Sequence, residues 1–226
     1  MPHVVMKNKD GKRVPSVTTV LGVMAKPQLV YWANKIGLEG IKVNEYVDDK
    51  AIIGTLAHYM AECDVNGVTP DYQSEVECSD EQIEQAKVCF DKYLEWKSYQ
   101  DEFEPMFSEI PLVSEEHQYS GTFDLIARLN GKVTLIDFKT CSAIHYEALI
   151  QTVAYKKMIE ENNLVDKIEQ IVILRIGRDE NEGFEYYEVR EDRWDIYFEV
   201  FLTCLKLYQL NKECSKDLKN ERNQEK

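Results

Sequence analysis

The chain has 226 residues, 44% of them hydrophobic and 30% charged, enough for one domain with its own core and ordinary for a globular protein. Its 41 acidic and 27 basic residues give a formal charge of −14, which excludes a protein that holds polyanions by bulk charge. No apolar run reaches the roughly 20 residues that a membrane-spanning helix needs. The opening MPHVVMKNKDGKRVPSV has neither a signal-peptide core nor an Arg-rich transit character, so a protein that stays in the cytoplasm, or in whatever compartment makes it, with no membrane partner is expected.

The six cysteines (Cys63, Cys78, Cys89, Cys141, Cys204 and Cys214) are scattered, with no CxxC pair. That spacing argues against a zinc ribbon and against a disulfide framework. The negative charge is unevenly spread. Residues 1–36 carry Lys7, Lys9, Lys12, Arg13, Lys26 and Lys35 against a single acid, Asp10. A basic N-terminal face is therefore a candidate nucleic-acid contact, with plain solvated charge as the alternative.

In chain order, Val4, Val5, Met6 and Val14 flank Asp10-Gly11, a pattern that predicts a hairpin with a type I′ turn. Pro15-Ser16-Val17-Thr18-Thr19 follows, then a helix from about Pro27 to Ile36, stopped by Gly37. Gly54-Thr55 leads into a second helix, Leu56 to Asp64, and residues 68–80 read as loop. Residues 80–99 form an amphipathic helix with Ile83, Ala86, Phe90 and Leu94 on one face and Asp80 as its cap. Strands are expected over Met106–Val113, Tyr119–Leu129 and Lys132–Lys139, then a helix over Ile144–Glu161. Ile168–Ile176 is a continuous apolar strand, Gly183–Val189 pairs back on it, and Arg193–Leu210 is the last helix, before a polar tail from Asn211. The expected organisation is one domain over 1–210, with an N-terminal hairpin and helices (1–100), an α/β core (101–190) and a C-terminal helix (191–210), and a tail at 211–226.

The chemistry is concentrated in residues 121–140, GTFDLIARLNGKVTLIDFKT. Asn130-Gly131 between two strand patterns predicts a two-residue hairpin, which sets Leu129 opposite Lys132. The same register sets Asp124 opposite Asp137 on one face, with Cβ atoms roughly 5 Å apart. Lys139, two residues on, shares that face. Like charges opposed across a ladder are destabilising, so two such carboxylates call for a cation between them, and hard oxygen donors suit Mg²⁺ or Mn²⁺. Lys139 either orients a water and stabilises phosphate charge, or only neutralises Asp137.

Asp124, the hairpin and Asp137-Phe138-Lys139 resemble the motif of the PD-(D/E)XK nuclease superfamily. Gly54-Thr-Leu-Ala-His58 resembles the GxxxH helix of its RecB-like branch, Gln151-Thr-Val-Ala-Tyr155 resembles the QxxxY motif, and Pro15-Ser16-Val17-Thr18 resembles an early segment of phage and mitochondrial members. The resemblance implies an α/β fold with a restriction-endonuclease-like core, a mixed central sheet flanked by helices and extra N-terminal helices. It further implies metal held by His58, Asp124, Asp137 and the Phe138 carbonyl, with Lys139 as catalytic lysine and Gln151 and Tyr155 lining the site. Glu62, one turn from His58, and Glu109 on the preceding strand are further candidates, and Ser16, Thr18, Lys12 and Arg13 are candidate DNA contacts.

The activity implied is Mg²⁺- or Mn²⁺-dependent hydrolysis of DNA phosphodiesters, by an exonuclease in preference to an endonuclease. DNA, single-stranded or with a free end, is the expected substrate, with recombination, repair or replication proteins as partners and an oligomer open. Too few late cysteines are present for an iron–sulfur cluster, and a GxxxxGK[ST] loop is absent. Two rivals stay open: a non-catalytic nucleic-acid- or protein-binding module of the same fold, and an acidic protein that imitates DNA.

Overall fold

The computed structural model describes residues 5–224. Val4, assigned above to the first hairpin, lies outside them. The elements before the sheet are α1 (Val17–Leu21), α2 (Pro27–Leu38), α3 (Val43–Asn66), α4 (Tyr72–Glu75) and α5 (Asp80–Ser98). Then come β1 (Phe103–Ser108), β2 (Pro111–Ser114), β3 (Tyr119–Thr122), β4 (Leu125–Leu129), β5 (Lys132–Lys139), α6 (Tyr146–Glu161), β6 (Gln170–Ile176), β7 (Phe184–Glu188) and α7 (Trp194–Gln224).

The central sheet runs β1-β4-β5-β6-β7, and β2 and β3 form a separate two-stranded ribbon. Asn130 (φ 49°) and Gly131 (φ 86°) both adopt the left-handed conformation that a type I′ turn requires. The β4–β5 register is the expected one, from Leu129 opposite Lys132 to Leu125 opposite Ile136. The crossover through α6 makes β6 parallel to β5, and such a strand needs cover on both faces. It has it. Ile171 and Ile173 join a core built with α1, α6 and α7, while Val172 and Leu174 join one built with α3 and α5.

The hairpin strands are covered on both faces as well: Ile126 and Leu135, on the face of Asp137, are buried as fully as Leu125 and Ile136 on the other. The N-terminal helices are accordingly one of the covering layers.

Several bounds differ from the sequence reading. The first hairpin closes through Lys7 opposite Arg13, with a three-residue turn in which only Gly11 is left-handed (φ 76°), so the turn is not type I′. Helix α3 begins at Val43, well before Leu56, because residues 43–53 contain no proline or glycine to stop it. Helix α5 is capped by Ser79 in a capping box with Gln82, and Asp80 sits in its first turn. Helix α7 continues through the tail to Gln224, where Lys, Glu, Asn and Leu without proline or glycine let it run on exposed. The strands expected over 106–113 and 119–129 are each broken in two, and the breaks make the site.

Candidate active site

Two strands leave the central sheet together. The chain passes from β1 to β2 across Glu109-Ile110 and from β3 to β4 across Phe123-Asp124, and the Glu109 N–H donates to the Asp124 carbonyl at 3.1 Å. Glu109 adopts a left-handed φ of 52°, a conformation that costs a non-glycine residue energy and is held by its surroundings. The break places Phe123 in the core on the α6 side and Leu125 in the one on the side of α3 and α5. Asp124 itself sits just outside the β4–β5 ladder, so the expected direct cross-strand pair with Asp137 is replaced by a side-chain contact: the Phe138 N–H donates to Asp124 Oδ2 at 2.7 Å.

Helix α3 supplies the facing wall. Gly54 lets it approach the end of β5: a Cβ there would lie 2.9 Å from Thr140 Oγ1. One turn on, His58 Nδ1 stands 3.6 Å from Asp124 Oδ2, and its ring meets that of Phe138 edge-on at 5.9 Å. Donor atoms of His58, Glu109 and Asp124 all fall within 4.8 Å of one another. This is a ready set of one imidazole and two carboxylates.

Asp137 is not in that group. It is 1% exposed, and Lys139 Nζ lies 2.5 Å from its Oδ2, yet neither carboxylate oxygen makes a hydrogen bond of ordinary geometry. Buried carboxylate oxygens without such partners are costly.

The electrostatics show a site short of positive charge. Burial pushes the Asp124 carboxyl up, but His58, Lys139 and the Phe138 N–H outweigh it and hold the group below its ordinary value. Burial, with Asp124 adding to it and Lys139 opposing, raises Asp137 to about 6. Burial, then Asp124, Glu62 and Glu75, pushes Glu109 up to about 9. Burial works against the Lys139 ammonium, but Asp137 and Asp124 hold it charged, above its ordinary range. A divalent cation fits this donor set: hard oxygens plus one imidazole, with the Glu109 and Asp137 carboxyls both raised by burial.

The group opens into a pocket of about 460 Å³, whose lining includes Ser16, Thr18, Glu62 and Tyr155 as well as His58, Glu109 and Asp124. Ser16 caps α1, accepting the Thr19 N–H at 3.1 Å, and is bridged to Ser120 on β3. Tyr155 is buried, its hydroxyl takes a hydrogen bond from Gln151 Nε2 at 3.0 Å, and burial and then Asp137 raise its phenol above the ordinary range. Gly121 makes room for it: a Cβ there would fall 2.6 Å from Tyr155 Cε1. Burial, then Glu75, raises Glu62. Lys12 and Arg13 are exposed and outside the lining.

The lining also includes Lys50, Thr140 and Glu75, which were not singled out from sequence. Lys50, Gly54, His58 and Glu62 recur every fourth residue, the spacing of one helical face, and that signal was legible. Glu75 carries none, because its short helix α4 interrupts a stretch read as loop.

No family model matches the chain, and no curated protein is similar to it in sequence. A solved structure of a candidate exonuclease from Eubacterium rectale matches with a TM-score of 0.50 at 8% identity, over 71% of this chain and 66% of that one. The chain thus spans just under two thirds of that protein's length. SSO0001 aligns at TM-score 0.32 and 13% identity, over 67% of this chain and 74% of that one. LHK-Exo, solved with dAMP, aligns at 0.35 and 13%, over 78% and 97%. The likeness to the Eubacterium rectale protein is one of fold, which in this chain is a mixed five-stranded sheet flanked by helices.

Proposed function

We propose that the protein is a divalent-metal-dependent deoxyribonuclease that hydrolyses phosphodiester bonds and acts as an exonuclease. The observation that carries this is the meeting of His58, Glu109 and Asp124 at the mouth of a pocket, with the Asp137–Lys139 pair behind them. The exonuclease description of a fold neighbour supports the same reading.

His58, Glu109 and Asp124 would hold Mg²⁺ or Mn²⁺, with Asp137 and the Phe138 carbonyl behind them as the further ligands that the family resemblance implies. A bound metal would supply Lewis-acid charge, which favours attack by water on the scissile phosphate. Asp124, held ionised by His58 and the Phe138 N–H, keeps a negative donor in place at neutral pH. Lys139, held charged by the two aspartates, orients the attacking water and steadies charge on the phosphate oxygens. The water oxygen bonds to phosphorus as the P–O3′ bond breaks, leaving a 5′-phosphate and a 3′-hydroxyl. Tyr155 stays protonated, and with Gln151 it offers donors to the backbone of the bound strand. Ser16 and Thr18 line the same opening.

The deciding experiment digests end-labelled linear and covalently closed circular DNA, single- and double-stranded, with Mg²⁺, Mn²⁺ or EDTA. Metal-dependent loss of linear DNA with circles spared is the expected result. Cutting of circles makes the enzyme an endonuclease, and the absence of cleavage by folded protein with either metal overturns the reading.

A further inference from the structure

The pocket is lined by the carboxylates of Glu62, Glu75, Glu109 and Asp124, and among the described residues Lys50 is the one lysine or arginine in its lining. Lys50, His58 and Glu62 lie on one face of α3. Along that face charge passes from a cation, through the imidazole of the candidate metal group, to an acid. Lys50 lies two turns from His58, about 12 Å along the helix axis. Its Nζ is drawn further off, because it stands 5.6 Å above the ring of Tyr46, one more turn away from His58.

The ammonium is held in place there. Gln85 Oε1 on α5 accepts from it at 3.2 Å, and Asp49 Oδ2 lies 3.2 Å away. A lysine has three N–H donors, so one is left beyond these two partners. The ion pair with Asp49 is partly exposed, at 27% and 41% of the two side chains, and such pairs are weak. Asp49 is also engaged elsewhere, its Oδ1 taking a hydrogen bond from Gln82 at 2.8 Å. Lys50 thus keeps a donor and a charge for an anion. A nucleic-acid strand carries a phosphate at every nucleotide, and only one of them is cut at a time. An ammonium set two turns and more from His58 is out of reach of that one. It meets another phosphate of the strand, where a lining of carboxylates leaves the strand most in need of a counter-charge.

We propose that Lys50 binds an uncut backbone phosphate of the DNA strand whose scissile phosphate lies at His58, Glu109 and Asp124. The inference rests on the nuclease reading, for which Lys50 is a positioning residue.

The test is binding of a labelled oligothymidylate, followed by fluorescence anisotropy over a range of KCl, with Ca²⁺ present as a hard divalent cation. Lys50→Ala is expected to raise Kd about tenfold, the loss of one charge-assisted hydrogen bond. It is also expected to make the slope of log Kd against log salt shallower by about 0.7, the share of one phosphate contact on a single strand. Lys50→Arg keeps the charge and restores the slope and most of the affinity. Lys50→Gln, which keeps a donor for Gln85, gives the same reading as the alanine variant should that one fail to fold. An unchanged Kd, or a weaker one with the slope unchanged, in protein with a native circular dichroism spectrum overturns the proposal. A wild type that binds no strand overturns it too.

Hydrolysis of a small chromogenic diester, thymidine 5′-(p-nitrophenyl phosphate), by the wild type with Mn²⁺ tests the nuclease reading separately, because that compound has no second phosphate for Lys50. Lys50-dependent strand binding without diester hydrolysis leaves the contact standing and removes the nuclease. Hydrolysis with Lys50-independent binding does the reverse.

Discussion

Asp124, Glu109 and Asp137 lie within one small volume, yet their carboxyls are held in different states. Asp124 is held ionised by its neighbours, while Glu109 and Asp137 are pushed up by burial and by the charge of Asp124. In the proposed mechanism, removing Asp124 or Lys139 takes away a metal donor or the charged partner of the attacking water. Asp124→Ala and Lys139→Ala are each expected to lower cleavage of linear DNA by at least about a hundredfold, measured on protein whose circular dichroism spectrum is unchanged. The raised acids also set the response to pH. Glu109 has its ordinary value at 4.5 and its folded value at about 9, so folding favours the protonated form. That contribution is fully present below 4.5 and is lost as pH rises toward 9. Asp137 loses its share between 3.8 and about 6. The melting temperature in EDTA is therefore expected to fall as pH rises through these windows. Mg²⁺ or Mn²⁺ should restore it, since binding displaces the protons. Glu109→Gln should flatten the upper part of the curve; a curve unchanged by that substitution counts against Glu109 as the buried acid. His58, Asp124, Asp137 and Lys139 were legible as residues, because their spacing follows from a turn and a helix. The place of Glu109 beside Asp124 was not, since it depends on where two strands bend.

Among the elements, the pair of broken strands is the decisive feature. Alternation over 119–129 reads as one strand because every residue but one fits a half-buried ribbon, and the bend at Phe123-Asp124 has no proline to mark it. Its cause is tertiary. The β2–β3 ribbon is drawn onto α6, where Tyr119 donates to the Ala154 carbonyl at 2.8 Å, while β4 stays in the central sheet. Gly121 sits at the contact between that ribbon and α6. Gly121→Ala places a methyl 2.6 Å from the Tyr155 ring, which is closed in on its other side. It is expected to cost about 1–3 kcal/mol in urea denaturation through overpacking, and to lower cleavage by moving Tyr155. Ser79→Ala removes the cap of α5, away from the site. It should cost about 1 kcal/mol with cleavage per folded molecule unchanged, which separates loss of stability from loss of the site.

At the scale of the whole molecule, a chain of net −14 is proposed to meet a polyanionic substrate through a pocket lined by carboxylates, and on that reading metal binding and approach of the phosphate are coupled. The last stretch of α7 takes no part in either core: residues 211–221 are all exposed. Deleting the chain after Leu210 is expected to change the unfolding free energy by less than about 1 kcal/mol and to leave cleavage intact, as read by denaturation and end-label release; a large loss of stability would show that this segment is held by a partner. The amino-acid sequence by itself determined the Asn130-Gly131 turn, the register of the hairpin and the helical faces carrying His58 and Tyr155, because each follows from local geometry and residue type. Only the tertiary structure decided that both sheet faces are covered, that two strands bend away together, and that Glu109 joins His58 and Asp124. These depend on contacts between segments far apart in the chain, where packing overrides local pattern.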